Sequence, residues 1–80
     1  MLSWAQKQRI DFIRRRLRDP GSLTRAAIGA EFGVSAQTAT ADFQRLEEHF
    51  PGLAAYDPSA KAWVPGPSFD KIERQERTSS

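Results

Sequence analysis

The chain has 80 residues, of which 39% are hydrophobic and 28% charged, and its formal net charge is +2, which predicts one small domain with a single core. It contains no cysteine and one histidine, so we expect neither disulfides nor a bound metal, and the fold must depend on apolar packing. Every apolar run is too short to span a bilayer and no signal peptide is evident, which predicts a soluble cytoplasmic protein with no membrane partner.

The first predicted helix begins after Ser3 and ends before the turn-forming residues 19–21, Asp-Pro-Gly. Ser3 and Gln6 form a capping-box pattern, in which the hydroxyl accepts a hydrogen bond from a backbone amide of the first turn. One face of this helix is apolar and is predicted to lie in the core: Ile10, Ile13 and Leu17.

A second apolar stripe lies on a different side of the same helix and contains Trp4, Ala5 and Phe12. A domain of this size has little core left to cover two large rings, so we predict that these residues form a homodimer interface around a two-fold axis. The alternative is that Trp4 folds under the C-terminal tail of its own chain.

Residues 24–46, TRAAIGAEFGVSAQTATADFQRL, have the pattern of a helix-turn-helix. Thr24 is the predicted cap of a helix over residues 25–32, and Gly33 follows where a left-handed residue commonly ends a helix. Ser35 is the predicted cap of the second helix. The apolar positions of that helix recur at intervals of four and three, so they are predicted to pack on the first helix: Ala39, Phe43 and Leu46.

The opposite face of the second helix has only small, hydroxyl, amide and edge-lying basic side chains. Gln37 and Gln44 can pair with adenine, and a Thr or Ala methyl group can touch the thymine methyl. We therefore predict a helix that reads the DNA major groove; the alternative is an ordinary solvated helix face. The predicted DNA contacts are Thr24, Arg25, Ser35, Ala36, Gln37, Thr38, Thr40, Ala41, Gln44, Arg45 and Lys61.

After Phe50 the pattern indicates a β-hairpin, the wing of a winged helix. Residues 53–56 can extend, residues 57–60 are rich in turn formers, and residues 61–64 can return as a partner strand. Tyr56 and Trp63 are predicted to pack across the strands onto the core. Ser59 and Lys61 then lie near the tip, where they can approach the DNA backbone or minor groove; the alternative for Lys61 is simple solvation.

Residues 68–80 are predicted to form a tail after a DNA-binding domain made by residues 1–67. A short helix from Phe69 to about Arg77, capped by Ser68, would place Phe69 and Ile72 against an apolar surface. The balanced charge and the Thr-Ser-Ser ending suit a disordered terminus equally well.

Positive charge is concentrated at the N-terminus. Residues 1–18 contain six basic residues and one acidic residue (+5), whereas residues 19–67 contain three and six (−3). Four arginines near the end of the first helix are predicted to neutralise DNA phosphates; the alternative is that they stabilise their own helix through its dipole. They are Arg14, Arg15, Arg16 and Arg18.

Residues 32–69, FGVSAQTATADFQRLEEHFPGLAAYDPSAKAWVPGPSF, resemble the N-terminal winged helix-turn-helix of DeoR-like regulators. They resemble more closely that of the WYL-domain repressors associated with bacterial phage-defence loci. The features that carry the resemblance are the FGVS turn, a recognition helix with Thr38, Ala39 and Asp42, a wing with a Tyr-Asp start and an aromatic return, and a Pro-Ser-Phe segment at residues 67–69.

The resemblance implies a sequence-specific repressor that binds double-stranded DNA as a homodimer. It implies Ser35, Gln37, Thr38, Thr40 and Gln44 as the contact residues. Members of this family continue into a ligand-sensing WYL domain, and this chain ends near the place where that domain would begin. We therefore expect no small-molecule effector, in either an excised domain or a stand-alone form.

The sequence thus predicts a mainly α winged helix-turn-helix, with three helices plus a small β-hairpin, that regulates transcription from an inverted-repeat operator in the bacterial or phage nucleoid. Catalysis and a cofactor are not expected, because the chain offers one histidine, no cysteine, no glycine-rich phosphate loop and no paired acidic motif. The adjacent residues Glu47, Glu48 and His49 diverge in direction on a helix and do not form a cluster. Two alternatives are a protein-interaction winged helix without DNA binding, and a phage or plasmid DNA-binding factor that regulates no promoter.

Overall fold

A computed structural model describes residues 2–79 as four helices and one antiparallel hairpin. The predicted winged-helix architecture is confirmed: three helices precede the hairpin, and a fourth helix follows it. In chain order the elements are α1 (Trp4–Arg18), α2 (Arg25–Phe32), α3 (Ala36–His49), β1 (Ala54–Asp57), β2 (Ala62–Pro65) and α4 (Phe69–Ser79).

Three of the four predicted N-caps are confirmed, each by a hydroxyl that accepts a hydrogen bond from a backbone amide three residues later. The distances are 3.1 Å at Ser3, Thr24 and Ser35. Helix α2 ends at Gly33, which has a φ of 67°. A side chain at this φ would be strained, and glycine therefore allows the chain to turn within three residues from α2 into α3.

The core lies between α1, α2, α3 and the base of the hairpin. Ile13, Ile28 and Leu46 are completely or almost completely buried, as the helical periodicity predicts. The ring of Phe43 on α3 stacks on Trp63 of β2, with centroids 4.2 Å apart, so that the hairpin packs directly on α3. The remaining buried members of the cluster are Ile10, Phe12, Leu17, Leu23, Ala39, Leu53 and Phe69.

The predicted hairpin is confirmed, with strands displaced by one residue from the predicted bounds. Tyr56 pairs with Trp63 across the two strands. Trp63 also exchanges two backbone hydrogen bonds with Leu23, at 2.9 and 2.7 Å, and these attach the hairpin to the segment between α1 and α2. At the tip, a carboxylate oxygen of Asp57 accepts hydrogen bonds from the amides of Ser59 and Ala60, which closes the turn locally.

The tail is helical, in agreement with one of the two predicted alternatives, and it packs on the domain. Phe69 belongs to the core cluster, and Glu73 on the next turn is only 4% exposed. The loop before α4 passes so close to the turn after α3 that a Cβ at Gly66 would meet the backbone of Gly52 and Ala54. Backbone hydrogen bonds from Gly66 and Ser68 to Leu53 and Gly52 hold this crossing in place.

The prediction that Phe12 shares an uncovered surface with Trp4 is wrong. Phe12 is 9% exposed, because Phe32 at the end of α2 lies against it edge to face with ring centroids 5.3 Å apart. The ring of Phe32 thus connects the end of α2 to α1. Trp4 does not fold under the tail either, because it is 75% exposed at the start of α1.

Candidate nucleic-acid interface

Helix α3 presents a polar face to solvent on the side away from the core. Gln37, Ala41, Gln44 and Arg45 are exposed on it, and Thr40 is half-buried at its edge. Since α3 has its core residues on the opposite side, the structure brings these predicted reading residues together on one side of one helix. The side chains there are short or flexible, which is the property that a helix needs to enter a groove about 12 Å wide.

The N-terminus of α3 is closed by its own side chains. Ser35 Oγ accepts from the amide of Thr38, and the two hydroxyl oxygens lie 3.1 Å apart. The predicted phosphate contacts of Ser35 and Thr38 therefore involve hydroxyls that already hold the helix start. The helix dipole still places partial positive charge at this exposed end of α3.

Arg25, the first residue of α2, lies across the face of α3. Its Nη1 donates to Thr40 Oγ1 at 3.0 Å, and the Thr40 hydroxyl donates in turn to the carbonyl of Ala36 at 3.0 Å. The Thr40 hydroxyl is thus engaged within the domain, where it holds Arg25. Its methyl group remains able to contact a base. The other donors of the guanidinium remain at the exposed surface.

A cleft separates the N-terminal ends of α2 and α3 from the wing. Four predicted contacts line it from both sides: Thr24, Arg25, Ala36 and Lys61. Tyr56 and Trp63 form its wall on the wing. Lys61 has a φ of 53° at the last position of the turn, so it adopts the left-handed conformation despite having a side chain.

Tyr56 is an interface candidate that the sequence interpretation missed. It was expected to pack on the core, yet it is 48% exposed and lines the cleft beside Arg25 and Thr40. Its ring meets Trp63 at 63° with centroids 5.4 Å apart, and Trp63 is itself stacked on Phe43. No local pattern separates the two rings, because Tyr56 and Trp63 are cross-strand partners on one face of the hairpin. The stacking of Trp63 on Phe43 leaves Tyr56 at the exposed edge of that face.

The arginines of α1 serve internal contacts to a greater extent than the charge pattern predicts. Glu73 of α4 accepts hydrogen bonds from Arg14 and from Arg18, the latter at 2.8 Å. The guanidinium of Arg14 also lies 4.5 Å from the centroid of the Phe50 ring, and that of Arg16 lies 5.6 Å from the Phe12 ring. The expectation that Arg14 binds phosphate is corrected: a part-buried partner on the tail helix holds it.

Burial raises the pKa of Glu73, but the hydrogen bonds from Arg18 and Arg14 and their positive charges outweigh this effect. The net result is a pKa below the ordinary glutamate value, so Glu73 is ionised at neutral pH. Salt bridges from this one carboxylate to the two arginines therefore join α4 to α1.

A second buried pair joins α1 to α3. Asp42 is completely buried, and it accepts from Arg9 Nε at 2.6 Å and from Arg9 Nη2 at 3.1 Å. The two bonds form the bidentate fork that a guanidinium and a carboxylate make when both are held rigidly. Asp42 thus pairs with a residue 33 positions away in the chain.

The described residues offer no sign of other chemistry. Within residues 2–79 no group of three or more His, Cys, Asp and Glu side chains could hold a metal ion. No helix in this part of the chain combines the length and the apolar character that crossing a membrane requires.

Comparison with known families places these features in context. A family model described as the BrxR transcriptional regulator winged helix-turn-helix domain matches residues 5–79. The match covers all of α2, α3 and α4 and both strands of the wing. No curated protein matches the chain closely enough to count as a relative.

Proposed function

The chain belongs to the family of BrxR transcriptional-regulator winged helix-turn-helix domains, and on this basis we propose that it binds double-stranded DNA sequence-specifically and regulates transcription. The observation that carries the proposal is the polar, unobstructed face of α3 around Gln37, Ala41 and Gln44. The major groove presents a distinct donor and acceptor pattern for each base pair, and amide side chains can read it through two hydrogen bonds at once.

The cleft between α3 and the wing supports the same proposal, because it gives phosphate groups a positively charged place beside the reading helix. Arg25 lies on the helical side of the cleft and Lys61 on the wing, and Tyr56 of the wing also lines the cleft. In this arrangement α3 lies in the major groove while Lys61 approaches the backbone or the adjacent minor groove. Binding of this kind needs no cofactor.

We further propose that the regulator is a repressor in a phage-defence context and acts as a homodimer on an inverted repeat. Support for this comes from the resemblance of the wing and the Pro-Ser-Phe segment to such repressors and from Trp4, which is 75% exposed. A dimer places two α3 helices about 34 Å apart along the DNA, one on each half-site. The mass of the protein in solution tests the dimer, with Trp4→Ala expected to shift it towards the monomer.

Selection of bound duplexes from a random pool tests the reading function. We expect enrichment of one sequence, bound more weakly as salt rises because phosphate contacts release counterions. Gln37→Ala combined with Gln44→Ala should lower affinity for the selected duplex at least tenfold while the fold stays intact. Gln75→Ala is the matched control, since it removes an exposed amide from α4.

Two results would contradict the proposal. If no sequence is enriched, the protein-interaction alternative replaces DNA reading. If a sequence is enriched but the Gln37 and Gln44 double variant binds it as the wild type does, the reading face lies elsewhere on the domain.

A further inference from the structure

We propose that the ion pair between Arg9 and Asp42 is a positioning device that fixes the rotation of α3 about its own axis, and thereby sets which side chains face the DNA. The inference rests on the DNA-reading function proposed above and adds a residue of α1 to it. Neither Arg9 nor Asp42 is part of the exposed face, so both act through α3 as positioning residues.

The geometry of the pair restrains rotation. Asp42 is completely buried on α3, and both of its carboxylate oxygens are engaged by the one guanidinium, at 2.6 and 3.1 Å. The side chain of Arg9 is itself only 14% exposed, so neither partner can follow the other into solvent. A bidentate fork of this type fixes direction as well as distance, because the two bonds must stay in one plane.

The other directional contacts of α3 lie at its surface or on the wing: Arg25 donates one exposed hydrogen bond to Thr40, and Phe43 stacks on Trp63. The apolar stripe of Ala39, Phe43 and Leu46 adds burial, which depends mainly on area. At about 100° per residue, Asp42 lies roughly 140° around the helix from Gln37. A rotation of about 10° moves side-chain atoms, which lie roughly 5 to 6 Å from the axis, by about 1 Å. That distance separates a good hydrogen bond to a base edge from a broken one.

Stability alone does not explain why a carboxylate occupies this position. A buried ion pair is often no more stable than apolar residues of the same volume, because desolvation offsets its attraction. What the fork adds to apolar packing is a pair of hydrogen bonds of fixed direction. Every buried side-chain nitrogen and oxygen among the described residues has a hydrogen-bond partner, so the pair is fully satisfied in the observed orientation.

The domain contains a matched control for this idea. Glu73 is also a buried carboxylate held by arginines of α1, but it lies on α4 and makes none of its hydrogen bonds to α3. Loss of either carboxylate charge should destabilise the domain. Only the loss at Asp42 should change what α3 reads.

The experiment compares Arg9→Lys, Asp42→Asn and Glu73→Gln with the wild type. Arg9→Lys keeps the charge and most of the stability but cannot form the fork, so it remains informative if Asp42→Asn fails to fold. For each variant, affinity is measured for the selected duplex, for the same duplex with one base pair changed, and for a random duplex, at one salt concentration and below the melting transition.

We expect Arg9→Lys and Asp42→Asn to reduce the ratio of selected to random affinity by about tenfold, the effect of one lost base-pair contact. Affinity for the random duplex should stay within about twofold, because phosphate contacts tolerate small rotations. Glu73→Gln should lower the melting temperature and leave the ratio unchanged. The double variant Arg9→Lys with Asp42→Asn should lose no more than either single variant, since both remove the same restraint.

An unchanged ratio in Arg9→Lys, or an equal loss of affinity for all three duplexes, would overturn the positioning role while the proposed function stands. A wild-type protein without preference among the three duplexes would overturn the proposed function, and this inference with it.

Discussion

Arginine makes different contacts on the two sides of the molecule. One side is formed by α3 and the wing, and the other by α1 and α4. Arg25 lies exposed at the cleft, with Thr40 as its hydrogen-bond partner. Arg14 and Arg18 converge instead on the buried carboxylate of Glu73. The basic cluster of the sequence is on the second side, whereas the proposed DNA-reading face is on the first. Tertiary partners decide which cations are available.

The two sides also differ in what their buried carboxylates hold. Glu73 joins the last helix to the first, and Asp42 joins the proposed reading helix to the same first helix. Helix α1 is therefore the common support of both sides, because its arginines hold α3 through Asp42 and α4 through Glu73. The variants below separate the two sides by asking whether stability or DNA binding changes.

The largest effect on stability is expected from Glu73→Gln. The amide keeps the shape of the side chain but removes the carboxylate charge that both guanidinium groups face, so we expect the free energy of unfolding to fall by about 2 kcal/mol. Chemical denaturation measures this loss. DNA affinity below the melting transition should be unaffected. A loss of binding in fully folded Glu73→Gln would show that the two sides are coupled, and the comparison would then fail.

The pH dependence of stability tests the same network, because the wild type and Glu73→Gln differ by only one titratable group. The pKa of Glu73 is lowered in the folded state, so its contribution is complete above the ordinary value of 4.5 and is lost as pH falls through the folded pKa. The difference in unfolding free energy between the wild type and Glu73→Gln should therefore be constant above about pH 5.5 and shrink below pH 4.5. A difference that grows on acidification would contradict the assignment.

On the side of α3 and the wing, Arg25→Ala should reduce affinity for the selected duplex by about tenfold. Stability should change little, because the side chain is exposed and makes one hydrogen bond to Thr40. Arg15→Ala provides the comparison on α1, where the exposed Arg15 does not line the cleft. Titration of labelled duplex measures both variants. Equal losses of DNA affinity in Arg25→Ala and Arg15→Ala would instead favour the basic cluster of α1 as the phosphate-binding surface.

These expectations depend on contacts of two kinds, and the sequence revealed only one. The caps at Ser3, Thr24 and Ser35 and the strand pairing at the wing join residues close in the chain, so spacing and residue type predict them. The ion pairs do not follow from any local pattern, since their partners are 33, 55 and 59 residues apart. Many carboxylates were available to the arginines of α1, and only the packing of α3 and α4 selects among them.

The candidate site divides in the same way. Helical periodicity placed Gln37, Ala41 and Gln44 on one exposed face, because that face is simply the side opposite the apolar stripe. It could not show that Arg25 crosses from α2 to Thr40, or that Tyr56 turns into the cleft. Both depend on the angle between elements, which no local pattern specifies.

The smallest effect is expected from Lys61→Ala at the tip of the wing, and it concerns salt dependence more than affinity. If Lys61 neutralises one phosphate, its removal should lower the slope of log affinity against log salt by about 1 and weaken the selected and random duplexes alike. Lys71→Ala is the matched control, because this exposed lysine lies on α4 and does not line the cleft. The slope should not change in the control.

The left-handed φ of Lys61 means that alanine there carries the same backbone strain as lysine, so stability should be equal and any change in slope reports charge. An unchanged slope would confine DNA contact to α3 and Arg25, and the wing would then serve only to cover Phe43 with Trp63.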